Sequence, residues 1–373
     1  MQNLDNLTTY NSTSQFWNVT RTLWYVVDAV DVAYSNNTDY DTNNTILLPP
    51  NESLFPWWQR IIWTILFAGI IIVATSGNLI VIWIVLAHRQ MRTITNYFLV
   101  NLSIADAMMS SMNVSFGYIY MFDFEWLFAG TFYCKISEFI AVLTIFVSVF
   151  TLMAISIDRY MAIIYPLKPR RGKKMTLCVA IVIWIIGIIL SLPMLFYRSS
   201  DAVKFRNGVR NVCSSIWPGK TNNEHSYYEN LYNVMSMILT YFLPIIFMTC
   251  TYTRVGLNLW GSQSIGEATA QQLEKIQSKR KVVKMMIVVV VMFTVCWLPI
   301  HTFFIAYYYL PEIKTKPYVY ELYLIAYWLA MSNSMYNPII YCWMNKYFRR
   351  GFVKFFFWSF YGLPSRVYHS WKS

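Results

Sequence analysis

The sequence predicts an all-α integral membrane protein: a seven-transmembrane helix bundle followed by an amphipathic cytoplasmic eighth helix. The chain of 373 residues is 57% hydrophobic and only 13% charged, whereas a soluble domain carries about a quarter charged residues. Seven apolar runs are long enough to cross a hydrocarbon core of about 30 Å, which takes roughly 20 helical residues. The runs are continuous rather than alternating between apolar and polar residues, which favours helices over barrel strands.

Short connections join these runs and leave no room for a soluble domain between them. The runs are Ile61 to Ala87, Thr93 to Phe122, Phe139 to Ile157 with an outward extension to Cys134, Met175 to Tyr197, Asn230 to Thr253, Met285 to Pro311, and Leu322 to Asn345. We therefore predict a tail over residues 1–60, a seven-helix domain over 61–344 and a C-terminal part over 345–373. From Asn345 to Phe360, aromatic residues lie on one side and basic residues cover the rest, which is typical of a helix in the membrane interface.

The N-terminal tail has the features of an extracellular segment. Asn-x-Ser/Thr sequons are glycosylated only in the secretory lumen, and the tail holds six of them, at Asn6, Asn11, Asn18, Asn36, Asn43 and Asn51. Seven crossings then place the C-terminus in the cytoplasm. Of the 30 Lys and Arg residues, 20 fall on the predicted cytoplasmic side, as the positive-inside rule requires. The net charge of +12 therefore indicates topology and not nucleic-acid binding.

Asp106 is a carboxylic acid in the middle of the second run, where a charge is costly unless it is paired or functional. One interpretation is a protonated side chain that hydrogen-bonds to neighbouring helices. The other is a site for a hard cation, completed by oxygens from the third and seventh runs. Those oxygens would come from Ser148, Asn333, Ser334 and Asn337.

Short motifs occur one per run, in a fixed order. They are Gly77-Asn78, Leu102 to Asp106, Asp158-Arg159-Tyr160, Trp184, Pro244 with Tyr252, Cys296 to Pro299, and Asn337 to Tyr341. With these motifs, the chain from Ile61 to Phe360 resembles the rhodopsin-like (class A) G-protein-coupled receptors. Longer strings resemble the tachykinin receptor family, in particular the invertebrate tachykinin-like peptide and natalisin receptors. These strings are Ser278 to Met286, Trp328 to Asn333 and Tyr336 to Tyr341.

The resemblance implies a two-state bundle that activates a heterotrimeric G protein of the Gq class, with arrestin and membrane lipid as further partners. The implied switch residues are Asp158, Arg159, Tyr160, Tyr252, Phe293, Trp297, Pro299, Asn337, Pro338 and Tyr341. Contact with the G protein is expected at Arg159, Leu167, Lys281 and Lys284. No resident cofactor is expected, although the resemblance implies an allosteric sodium ion at Asp106, Ser148, Asn333, Ser334 and Asn337.

Two residues of this sequence exclude two classes of ligand, the monoamines and retinal. Ala141 stands where amine receptors place an Asp, and Met331 stands where opsins place the Schiff-base Lys, so peptides and lipids remain. The tachykinin pocket maps onto Asn113, Tyr120, His301, Phe304 and Tyr327, and Gly117, Met194 and Asn233 depart from its vertebrate pattern. Trp297, His301 and Phe304 follow a spacing of i, i+4 and i+7, so they share a helix face. That face is interpreted as a ligand pocket, with an aromatic core stripe as the alternative.

Glu138 is the acidic residue proposed to bind the ligand's charge, because insect relatives of these peptides end in Arg-amide. Asp123 and Glu125 are alternatives at the rim of the pocket. A structural role is equally compatible with the sequence, in which Glu138 pairs with Lys135 or with a loop arginine.

Six cysteines are present, and only Cys134 and Cys213 lie on the predicted oxidising side, so they form the predicted disulfide. An enzyme is not expected, because the four His residues are scattered and no catalytic constellation is visible. The alternatives to a tachykinin-type receptor are a class A receptor for a different amidated neuropeptide and a membrane transporter. A transporter is disfavoured because the sequence shows no inverted repeat.

Overall fold

The computed structural model describes residues 56–123, 131–167, 172–205, 208–219, 226–261, 270–310, 313 and 318–361. These residues form a bundle whose helices we number by the apolar run that each contains. Helix 1 is Trp57–Ala87, helix 3 is Thr131–Ile164, helix 4 is Lys173–Phe196, helix 6 is Ala270–Tyr309 and helix 7 is Val319–Met344. Helix 2 consists of Ile94–Met108, a π-helical segment Met109–Val114, and Ser115–Asp123. Helix 5 consists of Tyr227–Met237, a π-helical segment Ile238–Phe242, and Leu243–Gly261.

The helices extend beyond the apolar runs at several ends. Helix 6 begins at Ala270 rather than near Met285, and helix 1 begins at Trp57 rather than at Ile61. A charge-free run measures only the part inside hydrocarbon, whereas backbone hydrogen bonds continue a helix into water. Five helices of the described residues are long and apolar enough to cross a membrane: Trp57–Ala87, Thr131–Ile164, Lys173–Phe196, Tyr227–Trp260 and Ile276–Tyr307. The seven-helix architecture predicted from the sequence is confirmed by this bundle together with the family match reported below.

Small residues bring neighbouring helices close together. A Cβ on Gly187 of helix 4 would lie 3.0 Å from Leu143 and 3.1 Å from Val147 of helix 3. A Cβ on Gly77 of helix 1 would lie 2.9 Å from the ring of Pro338 in helix 7. Helices in lipid associate mainly through close van der Waals packing, so such positions exclude larger side chains.

A β-hairpin between helices 4 and 5 covers the end of the bundle that the sequence predicts to be extracellular, which we call the outer end and its opposite the inner end. Strand β1 (Arg198–Phe205) pairs antiparallel with strand β2 (Gly208–Ser215), and Ser200 lies opposite Cys213. Cys213 is bonded to Cys134 near the outer end of helix 3. The predicted disulfide is confirmed, and it ties the hairpin to the central helix of the bundle.

A C-terminal helix, helix 8 (Lys346–Tyr361), packs against the inner end of helix 1. The ring of Phe355 lies 5.3 Å from that of Trp83, and Lys354 Nζ lies 3.2 Å from His88 Nε2. Phe348 is fully buried against Tyr341, whereas Phe356 is 48% exposed. Part of the aromatic face predicted from the sequence therefore packs against the bundle, and part of it is exposed.

Candidate functional site

An aromatic stack joins helices 5 and 6 inside the bundle. The His301 ring lies between Tyr241 of helix 5, at a centroid distance of 4.6 Å, and Trp297, at 5.9 Å. Phe293 continues the stack 6.1 Å below Trp297. Because Pro299 removes a backbone donor inside helix 6, the helix is weakened next to this stack.

Two ring nitrogens of this stack are buried inside the bundle. His301 Nε2 and Trp297 Nε1 are buried and have no hydrogen-bond partner among the described residues. A buried polar group without a partner is costly, and in a native protein it calls for a ligand or water. The sequence predicted His301 and Trp297 from their spacing but did not predict Tyr241, which comes from another helix.

Two neighbouring phenylalanines near the outer end of helix 6, Phe303 and Phe304, differ in how far they are buried. Phe304, the residue predicted for the pocket, is 51% exposed, with its ring 6.4 Å from Tyr323 of helix 7. Phe303 is 8% exposed and lies 5.5 Å from the same ring. Phe303 was missed because the sequence does not show which face of helix 6 turns toward helix 7.

A second aromatic wall joins helices 1, 2 and 7. The Tyr327 ring lies 6.0 Å from Tyr323 and 6.1 Å from Phe67. Asn113 is half-buried, and its amide nitrogen lies 3.8 Å from the sulfur of Met331. Tyr327 Oη and Asn113 Oδ1 lie 2.9 and 3.9 Å from the position of a Cβ built on Gly117, so the structure brings these two predicted ligand residues together.

The remaining predicted ligand positions lie in different environments. Met194 is 5% exposed and packs beneath Trp217, which follows strand β2, and against Tyr232. Asn233 is exposed. Tyr120 lies in helix 2, but its side chain is outside the described part of the structure, as are Glu125 and the side chain of Asp123.

Glu138 is paired within the protein. Its Oε2 lies 3.5 Å from a guanidinium nitrogen of Arg198, the first residue of β1. Both side chains are partly exposed, at 37% for Glu138 and 27% for Arg198. This arrangement corresponds to the alternative in which Glu138 pairs with a loop arginine. Exposed ion pairs are worth about 0–1 kcal/mol, so a cationic ligand can compete with Arg198 for the carboxylate.

Asp106 lies at the centre of a buried polar network. It is 2% exposed; Oδ1 accepts a hydrogen bond from Ser148 Oγ at 3.1 Å, and Oδ2 accepts one from Asn337 Nδ2 at 2.8 Å. Ser103 Oγ, one helical turn away, is buried and has no hydrogen-bond partner among the described residues. Carboxylate and hydroxyl oxygens are the ligands that hard cations prefer, so the residues present fit a sodium ion. They would hold it by coordination to Asp106, with Ser148 beside it.

Of the three other predicted sodium ligands, Asn337 donates its amide nitrogen to Asp106, and Ser334 and Asn333 lie in other environments. Ser334 is buried, but its hydroxyl donates to the carbonyl of Met331 at 2.8 Å. Asn333 is half-buried. Asn78 anchors this part of helix 7 to helix 1, because its amide donates to the carbonyl of Ser334 at 3.0 Å. The polar network therefore connects four helices.

The inner end of helix 3 is held by charge and hydrogen bonds. Asp158 Oδ2 lies 3.3 Å from a guanidinium nitrogen of Arg159 and accepts a hydrogen bond from Thr95 Oγ1 at 2.7 Å. Ser156 donates to Tyr252 Oη at 3.0 Å. The neighbouring Tyr160 is half-buried. Thr95 is not among the residues predicted from the sequence, because its partner Asp158 lies 63 positions away in the chain.

Three of the four predicted G-protein contacts are exposed, whereas Arg159 is partly buried and paired with Asp158. Leu167 is 98% exposed, and Lys281 and Lys284 project from helix 6. Beside them, Arg280 donates to the carbonyl of Leu259 at 3.0 Å and so links helix 6 to helix 5. This face combines one protruding apolar side chain with basic charge.

The glycosylation sequons predicted at residues 6–51 lie outside the described residues. No group of three or more His, Cys, Asp or Glu side chains that would hold a metal ion occurs in the described part of the chain.

A seven-helix bundle with a buried acid in helix 2, an Asp-Arg pair at the end of helix 3 and prolines within helices 6 and 7 defines a transmembrane receptor. Residues 77–341 match the family described as 7 transmembrane receptor (rhodopsin family). The chain is 58% identical over 308 residues to the Tachykinin-like peptides receptor 99D of Drosophila melanogaster, covering 82% of this chain and 59% of the relative. It is 45% identical over 352 residues to the Tachykinin-like peptides receptor 86C of the same organism, covering 93% and 69%. It is also 41% identical over 323 residues to the human Substance-P receptor, covering 87% and 76%.

The chain therefore belongs to the rhodopsin family of seven-transmembrane receptors and, within it, to the receptors of the tachykinin type. Members of this family are signalling receptors rather than enzymes and are multi-pass membrane proteins. The chain spans 59% of the length of the first of these relatives.

Proposed function

We propose that this chain is a plasma-membrane receptor for an amidated neuropeptide of the tachykinin-related or natalisin type, with its N-terminus extracellular. The observation that carries the proposal is the stack of His301 and Trp297, whose two buried ring nitrogens have no partner among the described residues. A peptide offers the carbonyl and amide groups that such nitrogens bind. Relatives whose names specify tachykinin-like peptides and Substance P supply the ligand class.

The mechanism follows from the position of this stack. A ligand that contacts His301 and Trp297 binds directly above Phe293 and beside the proline-weakened turn of helix 6. If it contacts the two rings better in one arrangement of helix 6, it shifts the population toward that arrangement. Outward movement of the inner end of helix 6 would then open the inner face to a G protein.

The inner face provides the surface for that partner. We propose that Leu167 inserts into a pocket of a heterotrimeric G protein of the Gq class, while Lys281 and Lys284 contact its acidic groups or lipid phosphates. Arg159 would join them once its pairing with Asp158 is broken. Arrestin would use the same opening.

Two accessory interactions complete the proposal. A sodium ion held by Asp106 and Ser148 would supply positive charge that keeps helices 2, 3 and 7 in the resting arrangement. The ligand's terminal Arg-amide would compete with Arg198 for Glu138. Exchange of Glu138 for Gln tests the latter: an Arg-amide peptide should lose more potency than its neutral-amide analogue, and equal losses would reject the pairing.

Calcium responses in cells that express the chain, exposed to a panel of amidated neuropeptides, test the proposed function. Tachykinin-related or natalisin peptides should elicit a response. Silence with these peptides and a response to another amidated class would reject the ligand assignment.

A conservative substitution then tests the site. His301→Phe keeps an aromatic ring at this position and removes both nitrogens, so we expect the half-maximal concentration of the active peptide to rise roughly tenfold, the equivalent of about 1.4 kcal/mol. Tyr241→Phe is the matched control, because it keeps the neighbouring ring of the same stack and removes only a hydroxyl that donates to the carbonyl of Thr294. Equal effects of the two substitutions would contradict a direct role for the His301 nitrogens.

A further inference from the structure

Gly117 lies on the face of helix 2 that meets Tyr327 of helix 7. A Cβ built on Gly117 would lie 2.9 Å from Tyr327 Oη, 3.7 Å from Tyr327 Cζ and 3.9 Å from Asn113 Oδ1. Carbon–oxygen contacts of 2.9 Å are too short for non-bonded atoms, so the hydroxyl occupies space that only glycine leaves open. The sequence alone shows Gly117 as a departure from the vertebrate pattern but gives no reason for it.

The Tyr327 ring has little freedom to move sideways. Phe67 of helix 1 lies 6.1 Å from it and Tyr323 lies 6.0 Å away on its own helix. Phe67 itself is fully buried and packs on Tyr118 at 5.2 Å. With aromatic rings on these sides, a methyl group at position 117 would push the hydroxyl away from helix 2 and from its place beside Asn113.

Gly117, Tyr327 and Asn113 therefore form one polar position where helix 2 meets helix 7. The Tyr327 hydroxyl and the Asn113 side-chain oxygen lie within 4 Å of the same point, next to the helix 2 backbone. A hydroxyl can both donate and accept a hydrogen bond, and an amide oxygen accepts. Their separation and orientation decide which polar groups of a ligand they can bind together.

We propose that Gly117 is a positioning residue of the peptide site: by lacking a side chain it places the Tyr327 hydroxyl against helix 2 beside Asn113, where the two groups bind the ligand jointly. This inference rests on the proposed function and deepens it. Gly117 acts only through Tyr327 and does not itself touch the ligand.

The test is a double-mutant cycle on the full chain in cells, with the tachykinin-type peptide that activates the wild-type receptor. Gly117→Ala should raise the half-maximal concentration about tenfold without lowering surface expression or the maximal response. Tyr327→Phe removes the atom that clashes. We therefore expect Gly117→Ala to have little further effect in the Tyr327→Phe background, less than about twofold.

Gly69→Ala is the matched control, because a Cβ at this helix 1 glycine meets no atom within 4 Å. It adds the same methyl group and the same gain in helix propensity, and potency should stay within twofold of wild type. Surface expression of each variant, measured with an antibody to an N-terminal tag, separates altered binding from loss of folding.

Two results would overturn the inference: equal potency of Gly117→Ala and Gly69→Ala, or additive effects of Gly117→Ala and Tyr327→Phe. If Gly117→Ala fails to reach the cell surface, the double variant Gly117→Ala/Tyr327→Phe tests the proposal instead. The proposal is supported if the double variant reaches the surface and has the potency of Tyr327→Phe. It is rejected if the double variant is also missing from the surface. Failure of the proposed function is distinguishable, since the wild-type receptor would then be silent with every tachykinin-type peptide.

Discussion

The contact between helix 8 and helix 1 gives a prediction that can be worked out in detail. A Cβ on Gly351 would lie 2.7, 2.8 and 2.9 Å from three side-chain carbons of Ile84. Ile84 is 1% exposed, so the isoleucine has no open space into which it can move. We predict that Gly351→Ala separates helix 8 from helix 1.

The magnitude follows from two opposing terms. Overpacking by one methyl group costs about 1–3 kcal/mol, whereas replacing Gly by Ala inside a helix gains roughly 1 kcal/mol. The net loss of free energy for Gly351→Ala is then about 0–2 kcal/mol. Three contacts shorter than 3.0 Å favour the upper half of that range, and 1.4 kcal/mol corresponds to a tenfold change in an equilibrium constant. Ile84→Ala makes room for the new methyl group, so the double substitution should cost less than the sum of the single ones.

Hydrogen exchange of the receptor in lipid nanodiscs measures this effect directly. Backbone amides of Lys346–Tyr361 should exchange about tenfold faster in Gly351→Ala than in wild type, because local opening controls their exchange. Gly69→Ala, whose added methyl group meets no atom within 4 Å, should leave their exchange unchanged. Equal protection of helix 8 in Gly351→Ala and Gly69→Ala would refute the steric reasoning.

Three further predictions concern the bundle. Thr95→Val removes the hydroxyl that donates to Asp158 at 2.7 Å, so ligand-independent signalling per surface receptor should rise several-fold; an unchanged basal level would contradict a restraining role. Trp184→Phe removes the donor to the Asn101 side-chain oxygen at 2.8 Å and leaves that buried atom without this bond, so the thermal unfolding temperature in detergent should fall, with a cost of about 1–3 kcal/mol. Cys213→Ser breaks the only disulfide among the described residues, at a cost of about 2–5 kcal/mol, and should sharply reduce the folded receptor at the cell surface; wild-type surface levels would refute it.

Much of the architecture could be predicted because a membrane imposes local rules. Each span must be apolar and must satisfy its own backbone hydrogen bonds, so helix number and order can be deduced from hydrophobicity alone. Helix ends were less predictable. The base of helix 6 carries Lys279, Arg280, Lys281 and Lys284, which end the apolar run but do not end the helix.

Contacts within the candidate site could be predicted where both residues lie on the same helix. The stack of Trp297 and His301 follows from a spacing of i, i+4 on helix 6. Tyr241, Phe303 and Thr95 were missed because their roles depend on a residue of another helix. No local pattern in a single sequence encodes such a pairing.

The sequence by itself determined the membrane class, the number of spans, the buried acid at Asp106 and the pairing of Cys134 with Cys213, since each depends on polarity, length or compartment. Only the tertiary structure decided that Glu138 pairs with Arg198, that Met194 is covered by Trp217, and that Gly117 makes room for Tyr327. The physical reason is that the rotation and tilt of each helix are set by packing against its neighbours, and these determine which side chains meet.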